Sequence, residues 1–232
     1  MAENPIALVV GANRGIGLGV VKELLSRGWD VIATARRPAE AADLIALAAA
    51  HPNRVTIRPL DMNDPAQLDA FATRLGDRKL NLALVNAGVS GPAHRSADKA
   101  TAEEIGALMF TNAIAPIRLA RHLLDRLTPR EGVLAFTSSV MGSVAGNTGG
   151  HELYRASKAA LNSLTRGLWT EMSGKRLTLL TLHPGWVRTD MGGPSAAVSV
   201  EDSARGMVDV MTREAGHHEH LYLDYTGKQI PW

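Results

Sequence analysis

Short apolar runs alternate with longer amphipathic stretches along the whole chain. The runs are apolar at successive positions, which is typical of parallel strands covered by helices on both faces. The seven predicted strands are Ile6–Val10, Val31–Ala35, Val55–Leu60, Leu80–Val85, Val133–Thr137, Leu177–Leu182 and Leu221–Leu223. The predicted helices are Leu18–Ser26, Pro38–Ala50, Pro65–Leu75, Ala102–Leu127 and Ser157–Glu171. This alternation predicts an α/β fold, a doubly wound parallel seven-stranded sheet of Rossmann type with helices on both faces.

The composition limits the classes of function. The 232 residues are 45% hydrophobic and 21% charged, which suits one globular domain over residues 1–232. The chain has no cysteine, which excludes disulfides, thiolate nucleophiles and cysteine-ligated zinc. Its formal net charge of +2 does not favour nucleic acid, and its apolar runs are too short for a membrane span or a signal peptide. We therefore expect a cytoplasmic protein without nucleic-acid, membrane or metal partners.

A glycine-rich turn directly follows the first predicted strand. Residues 11–17 read Gly-Ala-Asn-Arg-Gly-Ile-Gly, and a helical pattern begins at once. Glycines permit a tight turn and close approach of the backbone to a pyrophosphate, and the next helix presents its free N–H groups to that anion. This position favours a dinucleotide site, with a purely structural turn as the alternative.

The residues after the second predicted strand indicate which dinucleotide binds. NAD sites usually carry an acidic residue at the end of this strand, where it accepts a hydrogen bond from the ribose 2′-hydroxyl. Here the strand ends at Ala35, Arg36 and Arg37 follow, and Arg14 lies in the glycine turn. Guanidinium groups suit a 2′-phosphate. We therefore predict NADP(H), bound through Arg14 and Arg36 with Arg37 as a solvated charge. The missing acid argues against an oxidative dehydrogenase that uses NAD.

Tyr154 and Lys158 lie four residues apart at the start of a predicted helix. Positions four apart share one helix face, so both side chains can face the same cleft. An ammonium near the phenol would stabilise the phenolate, and we expect it to lower the tyrosine pKa by about a unit or more from its usual value of ~10. Such a tyrosine can donate and accept a proton near neutral pH. The same spacing also occurs by chance in surface pairs, so its meaning depends on the surrounding motifs.

Five motifs follow one another in the order of one known family. They are Gly11–Gly17, Asn86–Gly88, Asn112, Ser138–Ser139 with Tyr154 and Lys158, and His183–Thr189. With these motifs the chain resembles, over essentially its whole length, the single-domain short-chain dehydrogenase/reductase superfamily. Within it, the C-factor-like and sniffer-like carbonyl reductases are the most similar, through Met141–Asn147, Tyr154–Asn162, Gly185–Gly193 and Gly227–Trp232. Val10, Val85 and the fifteen-residue step from Ser139 to Tyr154 depart from the general pattern.

The resemblance implies reduction of a small-molecule carbonyl compound by hydride transfer from NADP(H). Tyr154 is then the proton donor, and Ser139 hydrogen-bonds the carbonyl oxygen. Lys158 would bind the nicotinamide ribose and lower the tyrosine pKa. Asn112 would hold a water that connects Lys158 to solvent, with a plain buried polar residue as its alternative role.

The resemblance also implies a set of cofactor contacts. These are Gly11, Asn13, Arg14, Gly15, Ile16, Gly17, Arg36, Asp61, Met62, Asn86, Ala87, Gly88, Tyr154, Lys158, Pro184, Gly185, Val187 and Thr189. Asp61 would contact the adenine, and a helix-entry cap is its alternative role. Ser138 is the alternative to Ser139 as the catalytic serine, and Ser143 is a weaker candidate for a substrate contact.

Some features remain open to two interpretations. An NADP(H)-binding regulatory protein of C-factor type with little turnover is the alternative function, and the resemblance implies a homodimer or homotetramer. His217–His220 is interpreted as a solvated loop, not a metal site. Trp186 is interpreted as a packing residue, with a position at the border of the pocket as the alternative. His151 and Met191 are further candidates for lining the pocket. The small residues of the segment 191–200 predict an open pocket for a mostly apolar ketone, aldehyde or quinone.

Overall fold

The computed structural model describes residues 4–232, which form a parallel seven-stranded sheet. In chain order the strands are β1 (Ile6–Val10), β2 (Asp30–Ala35), β3 (Val55–Pro59), β4 (Leu82–Val85), β5 (Val133–Thr137), β6 (Thr178–His183) and β7 (His220–Asp224). Their order across the sheet is β3-β2-β1-β4-β5-β6-β7, and all pairs are parallel. This topology confirms the predicted doubly wound Rossmann-type sheet.

Helices cover both faces of the sheet. They are α1 (Gly15–Ser26), α2 (Ala42–Ala50), α3 (Pro65–Leu75), α4 (Ala102–Met109), α5 (Ala115–Leu123), α6 (Glu152–Glu171) and α7 (Val200–Arg213). Successive strand residues face opposite sides of a sheet, so Ala7 and Val9 enter one apolar core while Leu8 and Val10 enter the other. The first core packs α1, α2 and α7, and the second packs α3, α5 and α6.

The predicted continuous helix over Ala102–Leu127 is wrong. A π-helical turn at Phe110–Ile114 separates α4 from α5, and a 3-10 turn at Leu124–Arg126 ends the region. The π turn carries Asn112, whose side chain is fully buried and hydrogen-bonded to another segment of the chain. Hydrophobic periodicity does not register such a turn, because the contact that accompanies it is tertiary.

Local chemistry marks several other boundaries. The Asp64 side chain accepts hydrogen bonds from the first turn of α3, and Pro65 takes the first helical position, as predicted. Gly28 has a φ of +89° after α1, which confirms it as a stop. The predicted helix over residues 38–50 divides into a 3-10 turn and α2, and β4 starts two residues later than predicted. Among residues 4–232, no helix is long and apolar enough to cross a membrane.

Candidate active site

The glycine turn packs tightly against the end of β4. Gly11 has a φ of +78°, and a Cβ there would lie 2.8 Å from the Cβ of Ala87. At Gly17 a Cβ would lie 2.1 Å from the Gly11 carbonyl oxygen. These two positions therefore require glycine, because a side chain would displace backbone. The turn thus has a structural reason for its glycines in addition to any role in binding.

Asn86 links the glycine turn to the strand that carries the serines. Its Nδ2 donates to the Gly11 carbonyl oxygen at 3.1 Å, and its Oδ1 accepts from the Thr137 hydroxyl at 3.0 Å. Lys158 Nζ donates to the Thr137 carbonyl oxygen at 2.9 Å. Because the carboxyl ends of parallel strands meet at one edge of the sheet, β1, β4, β5 and α6 join here in one hydrogen-bonded group.

The N-terminus of α1 is open to an anion. Its Arg14 N-cap makes no side-chain capping hydrogen bond, and the first turn holds no acidic residue. Asp64, Thr101 and Ser199 cap α3, α4 and α7 with their side chains, whereas α2, α5 and α6 are uncapped like α1. The free N–H groups and the helix dipole of α1 suit a phosphate group.

The loop after β6 reaches the same turn. A Cβ on Gly15 would lie 3.3 Å from Thr189 Cγ2, so these two predicted cofactor contacts face each other. Pro184 and Val187 are buried, and Gly185 has a φ of +88°. Val187 forms a bridge with Val198, which ties down the segment that follows the Pro-Gly motif.

The predicted phosphate-binding arginines lie at the surface. Arg14 Nη1 pairs with Asp190 Oδ2 at 2.5 Å, and both side chains are more than two-thirds exposed. Arg36 is exposed, and its neighbour Arg37 pairs with Glu40 at 3.0 Å. Asn13 is likewise exposed, while Ile16 is half-buried. Arg36 is thus an accessible cation at the carboxyl end of β2.

Asp61 and Met62 follow β3 at the same edge. Asp61 Oδ1 accepts from the Asn63 N–H at 2.9 Å, and Met62 is buried. The helix-entry cap of α3 is Asp64, so the alternative role of Asp61 as that cap is wrong. Asp61 turns the chain between β3 and α3.

Ser139 and Tyr154 face each other across the site. Ser139 is 8% exposed, its hydroxyl accepts from the Met141 N–H at 3.1 Å, and the nearby serine lowers the pKa of Tyr154. The Ser138 hydroxyl instead donates to Asn162 Oδ1 at 2.6 Å and is buried. Ser143 is buried as well, and its hydroxyl accepts from the Gly146 N–H at 2.9 Å. Of the three serines, Ser139 is the one that affects the pKa of Tyr154.

Lys158 and Asn112 converge below the loop that follows β4. A Cβ on Gly88 would lie 3.2 Å from Asn112 Oδ1 and 3.5 Å from Lys158 Nζ. The Asn112 amide accepts from the Val89 N–H and donates to the Val89 carbonyl oxygen, each at 2.8 Å, and also donates to Ser157 Oγ at 3.0 Å. Its side chain therefore fixes the loop against α6.

The expected lowering of the Tyr154 pKa by Lys158 is wrong for this structure. Burial raises the pKa of Tyr154 to about 12, and hydrogen bonding to Ser139 opposes this rise. Burial also lowers the pKa of Lys158 to about 8. Lys158 Nζ lies 5.8 Å from the Tyr154 ring centroid and donates to Thr137, so its charge is directed away from the phenol. Desolvation disfavours the charged form of both groups.

Trp186 and His220 differ from their interpretation, whereas the pocket-lining role of Met191 and His151 stays a prediction. Trp186 is 57% exposed and donates from Nε1 to the Gly192 carbonyl oxygen, so it does not pack in a core. Met191 and His151 are also exposed, and His151 hydrogen-bonds to Arg95 at 2.8 Å. His220 begins β7 and is buried, so the solvated-loop interpretation is wrong at that residue.

Known proteins resemble both the sequence and this geometry. The short chain dehydrogenase family model matches residues 5–199. C-signal from Myxococcus xanthus is 41% identical over 70% of this chain and 99% of its own length. A carbonyl reductase from Pseudomonas aeruginosa PAO1 in complex with NADP has a TM-score of 0.92 and 44% identity over 99% of this chain and 100% of its own. Carbonyl reductase Sniffer of D. melanogaster has a TM-score of 0.89 and 31% identity, with full coverage of both chains.

The chain therefore belongs to the short-chain dehydrogenase family, and the predicted family resemblance is confirmed. Membership makes it an oxidoreductase. The narrower resemblance to C-factor-like and sniffer-like carbonyl reductases, predicted from Met141–Asn147 and Gly227–Trp232 among other segments, is confirmed as well. Both C-signal and Sniffer are among the proteins similar to this chain.

Proposed function

We propose that this chain is an NADPH-dependent carbonyl reductase that converts a ketone, aldehyde or quinone to the alcohol. The observation that carries the proposal is the hydrogen bond from Lys158 Nζ to the Thr137 carbonyl oxygen at 2.9 Å. It holds the start of α6, with Tyr154 one turn before Lys158, against the strand end that leads to Ser139. The hydroxyl groups of Ser139 and Tyr154 can then both hydrogen-bond one carbonyl oxygen, next to the buried ammonium of Lys158.

The residues around the glycine turn fit NADPH. The uncapped N-terminus of α1 and the facing Thr189 suit the diphosphate, and Arg36 suits the 2′-phosphate. Asp61, Met62 and the Asn86–Gly88 segment would hold the adenosine half, and the Pro184–Val187 segment would hold the nicotinamide. When bound, NADPH supplies a hydride to the carbonyl carbon.

Tyr154 is proposed to give its proton to the carbonyl oxygen as negative charge develops there. With a pKa of about 12, its hydroxyl stays protonated at neutral pH, and an alkoxide is a stronger base than a phenolate. Ser139 would orient the carbonyl oxygen by donating its hydroxyl hydrogen. Lys158, charged below a pH of about 8, would bind the nicotinamide ribose.

Asn112 is proposed to hold the proton path. Its side chain is held by hydrogen bonds to Val89 and Ser157, and the water that connects Lys158 to solvent would lie beside it. This arrangement would let Lys158 pass a proton back to Tyr154 after each turnover.

The test is oxidation of NADPH and of NADH with a panel of ketones, aldehydes and quinones. We expect turnover with NADPH, a preference for it over NADH, and the corresponding alcohol as product. Absence of turnover across a broad panel, with the fold intact by circular dichroism, would contradict the proposal.

A second candidate is a regulatory protein that binds NADP(H) with little turnover. The similarity to C-signal favours it. The two candidates differ in whether bound NADPH is turned over. Fluorescence titration measures the binding, and the carbonyl panel measures the turnover. Tight NADPH binding with no carbonyl reduction supports regulation, and rapid reduction supports the enzyme.

We also propose a homodimer or homotetramer. The exposed Ile114 at the start of α5 supports an interface on that face. Phe110 and Arg118 lie beside it in cation–π contact at 5.0 Å. Light scattering coupled to size exclusion tests this, and a mass near 24.7 kDa, that of one chain, would contradict it.

A further inference from the structure

A buried polar network holds the backbone around Ser139. Asn162 on α6 accepts from the Ser138 hydroxyl at 2.6 Å and donates from Nδ2 to the Gly142 carbonyl oxygen at 3.1 Å. It therefore fixes residues on both sides of Ser139. Ser138, Gly142 and Asn162 are all buried, so water does not compete for these hydrogen bonds.

Tyr222 adds a hydrogen bond to Ser139 itself. This tyrosine lies on β7, is 1% exposed, and donates its hydroxyl to the Ser139 carbonyl oxygen. The Gly142 N–H donates to the same oxygen at 2.8 Å. The peptide plane that carries Ser139 is thus held by two donors, one from its own turn and one from a strand two positions across the sheet.

The surroundings of Tyr222 keep its hydroxyl in place. Its ring stacks on Trp232 with centroids 5.1 Å apart, and its carbonyl oxygen accepts from the Ile230 N–H at 2.8 Å. Burial raises the pKa of Tyr222 to about 12, so the hydroxyl remains a donor. The Trp232 carbonyl oxygen accepts from the Ala145 N–H, so the same residue also holds the loop beyond Ser139.

We infer that Tyr222 is a positioning residue that fixes the hydroxyl of Ser139 toward Tyr154. The inference rests on the role proposed for Ser139. Its specific support is the hydrogen bond that the Tyr222 hydroxyl donates, because the acceptor is the backbone of the serine proposed to orient the carbonyl oxygen. A small displacement of that peptide moves the Ser139 hydroxyl directly, and groups that orient a carbonyl tolerate little displacement.

The test compares Tyr222→Phe with a matched variant, Thr178→Val. Phe keeps the ring that packs on Trp232 and removes only the hydroxyl. Thr178 also donates a buried hydroxyl to a backbone carbonyl oxygen, that of Glu214 at 3.0 Å. It is the first residue of β6 and lies at the edge of the sheet opposite to Ser139, which follows the last residues of β5. We expect kcat to fall about tenfold in Tyr222→Phe with KM for NADPH unchanged, and to stay within twofold of the wild type in Thr178→Val.

Two further readouts separate positioning from general loosening. In a double-mutant cycle with Ser139→Ala, the Tyr222→Phe loss should nearly vanish, because the hydroxyl that it positions is gone. Amide hydrogen exchange of the segment 138–143 should be faster in Tyr222→Phe and unchanged in Thr178→Val.

The outcomes distinguish this inference from the proposed function. If the wild type reduces carbonyls and Ser139→Ala loses activity while Tyr222→Phe keeps kcat within twofold, the inference is overturned and the function stands. Additive losses in the double-mutant cycle also overturn it. If the wild type reduces no carbonyl compound, the proposed function is overturned. In that case the inference about Tyr222 is tested by amide hydrogen exchange alone, and it is overturned if exchange of the segment 138–143 is the same in Tyr222→Phe as in the wild type.

Discussion

The site has two halves that are built differently. In the half proposed for proton transfer, Ser139, Lys158 and Asn112 are buried, and neighbouring strands and helices hold their hydrogen-bonding groups. In the half proposed for the cofactor phosphates, Arg14 and Arg36 are exposed. Buried groups are fixed before substrate arrives, whereas exposed charges adjust and are screened by salt. Changes in the first half should therefore alter kcat, and changes in the second should alter cofactor affinity.

The largest effect in this comparison is expected for Lys158→Met. The change removes the buried ammonium and keeps an apolar chain of similar length. We expect kcat/KM to fall at least 100-fold, on the scale of a lost acid–base group. The thermal midpoint should not fall, because folding no longer desolvates a charge. Steady-state kinetics measures kcat/KM, and calorimetry measures the thermal midpoint. A variant with a lowered thermal midpoint and a near-normal kcat would contradict the assignment of Lys158 to the half that performs proton transfer.

The next effect is a pH dependence in the buried half. Burial lowers the pKa of Lys158 to about 8, so the charged form is present below that pH and is lost above it. Tyr154, with a pKa of about 12, stays protonated throughout. We expect kcat/KM to fall about tenfold per unit above pH 8. Lys158→Arg keeps the charge at all these pH values, so its kcat/KM should not change with pH in this range. If kcat/KM of Lys158→Arg falls at the same pH as that of the wild type, the titrating group is not Lys158.

A smaller effect is expected from Arg36→Ala in the exposed half. Loss of the guanidinium that we propose to bind the 2′-phosphate should reduce the preference for NADPH over NADH about tenfold, with kcat nearly unchanged. Arg37→Ala is the matched control, because that side chain is paired with Glu40. Equal losses in the two variants would show that general positive charge, not Arg36, sets the preference.

The smallest effect is expected from Arg14→Gln. The guanidinium is already paired with Asp190 at the surface, and exposed pairs contribute little. We expect the Kd for NADPH to rise about threefold, and less at high salt. Asp190→Asn should instead lower the Kd, since it frees Arg14. A tighter Kd in Arg14→Gln would contradict an electrostatic role.

The positions of the strands, and the edge of the sheet at which the site lies, can be predicted from the sequence. β1 and β5 have the predicted bounds because continuous apolar runs between polar residues leave little freedom in where a buried strand ends. The Asp64 cap follows equally from local chemistry. Residues that follow such strands then meet at one edge, which brings the glycine turn, Ser139 and Asn86 together.

What the sequence did not predict depends on tertiary contact. The π turn at Asn112 accompanies hydrogen bonds to Val89, twenty-three residues away, so helical periodicity does not register it. The rise in the Tyr154 pKa comes from burial, which spacing to Lys158 cannot reveal. The approach of Tyr222 to Ser139 requires the order of the strands across the sheet.

The most direct test of the central claim is Tyr154→Phe, with kcat and the Kd for NADPH measured on the same preparation. The substitution removes one hydroxyl from the buried half and leaves the exposed half untouched. We expect kcat to fall about 100-fold or more while the Kd stays within threefold of the wild type. A kcat within a few-fold of the wild type would contradict proton donation by Tyr154.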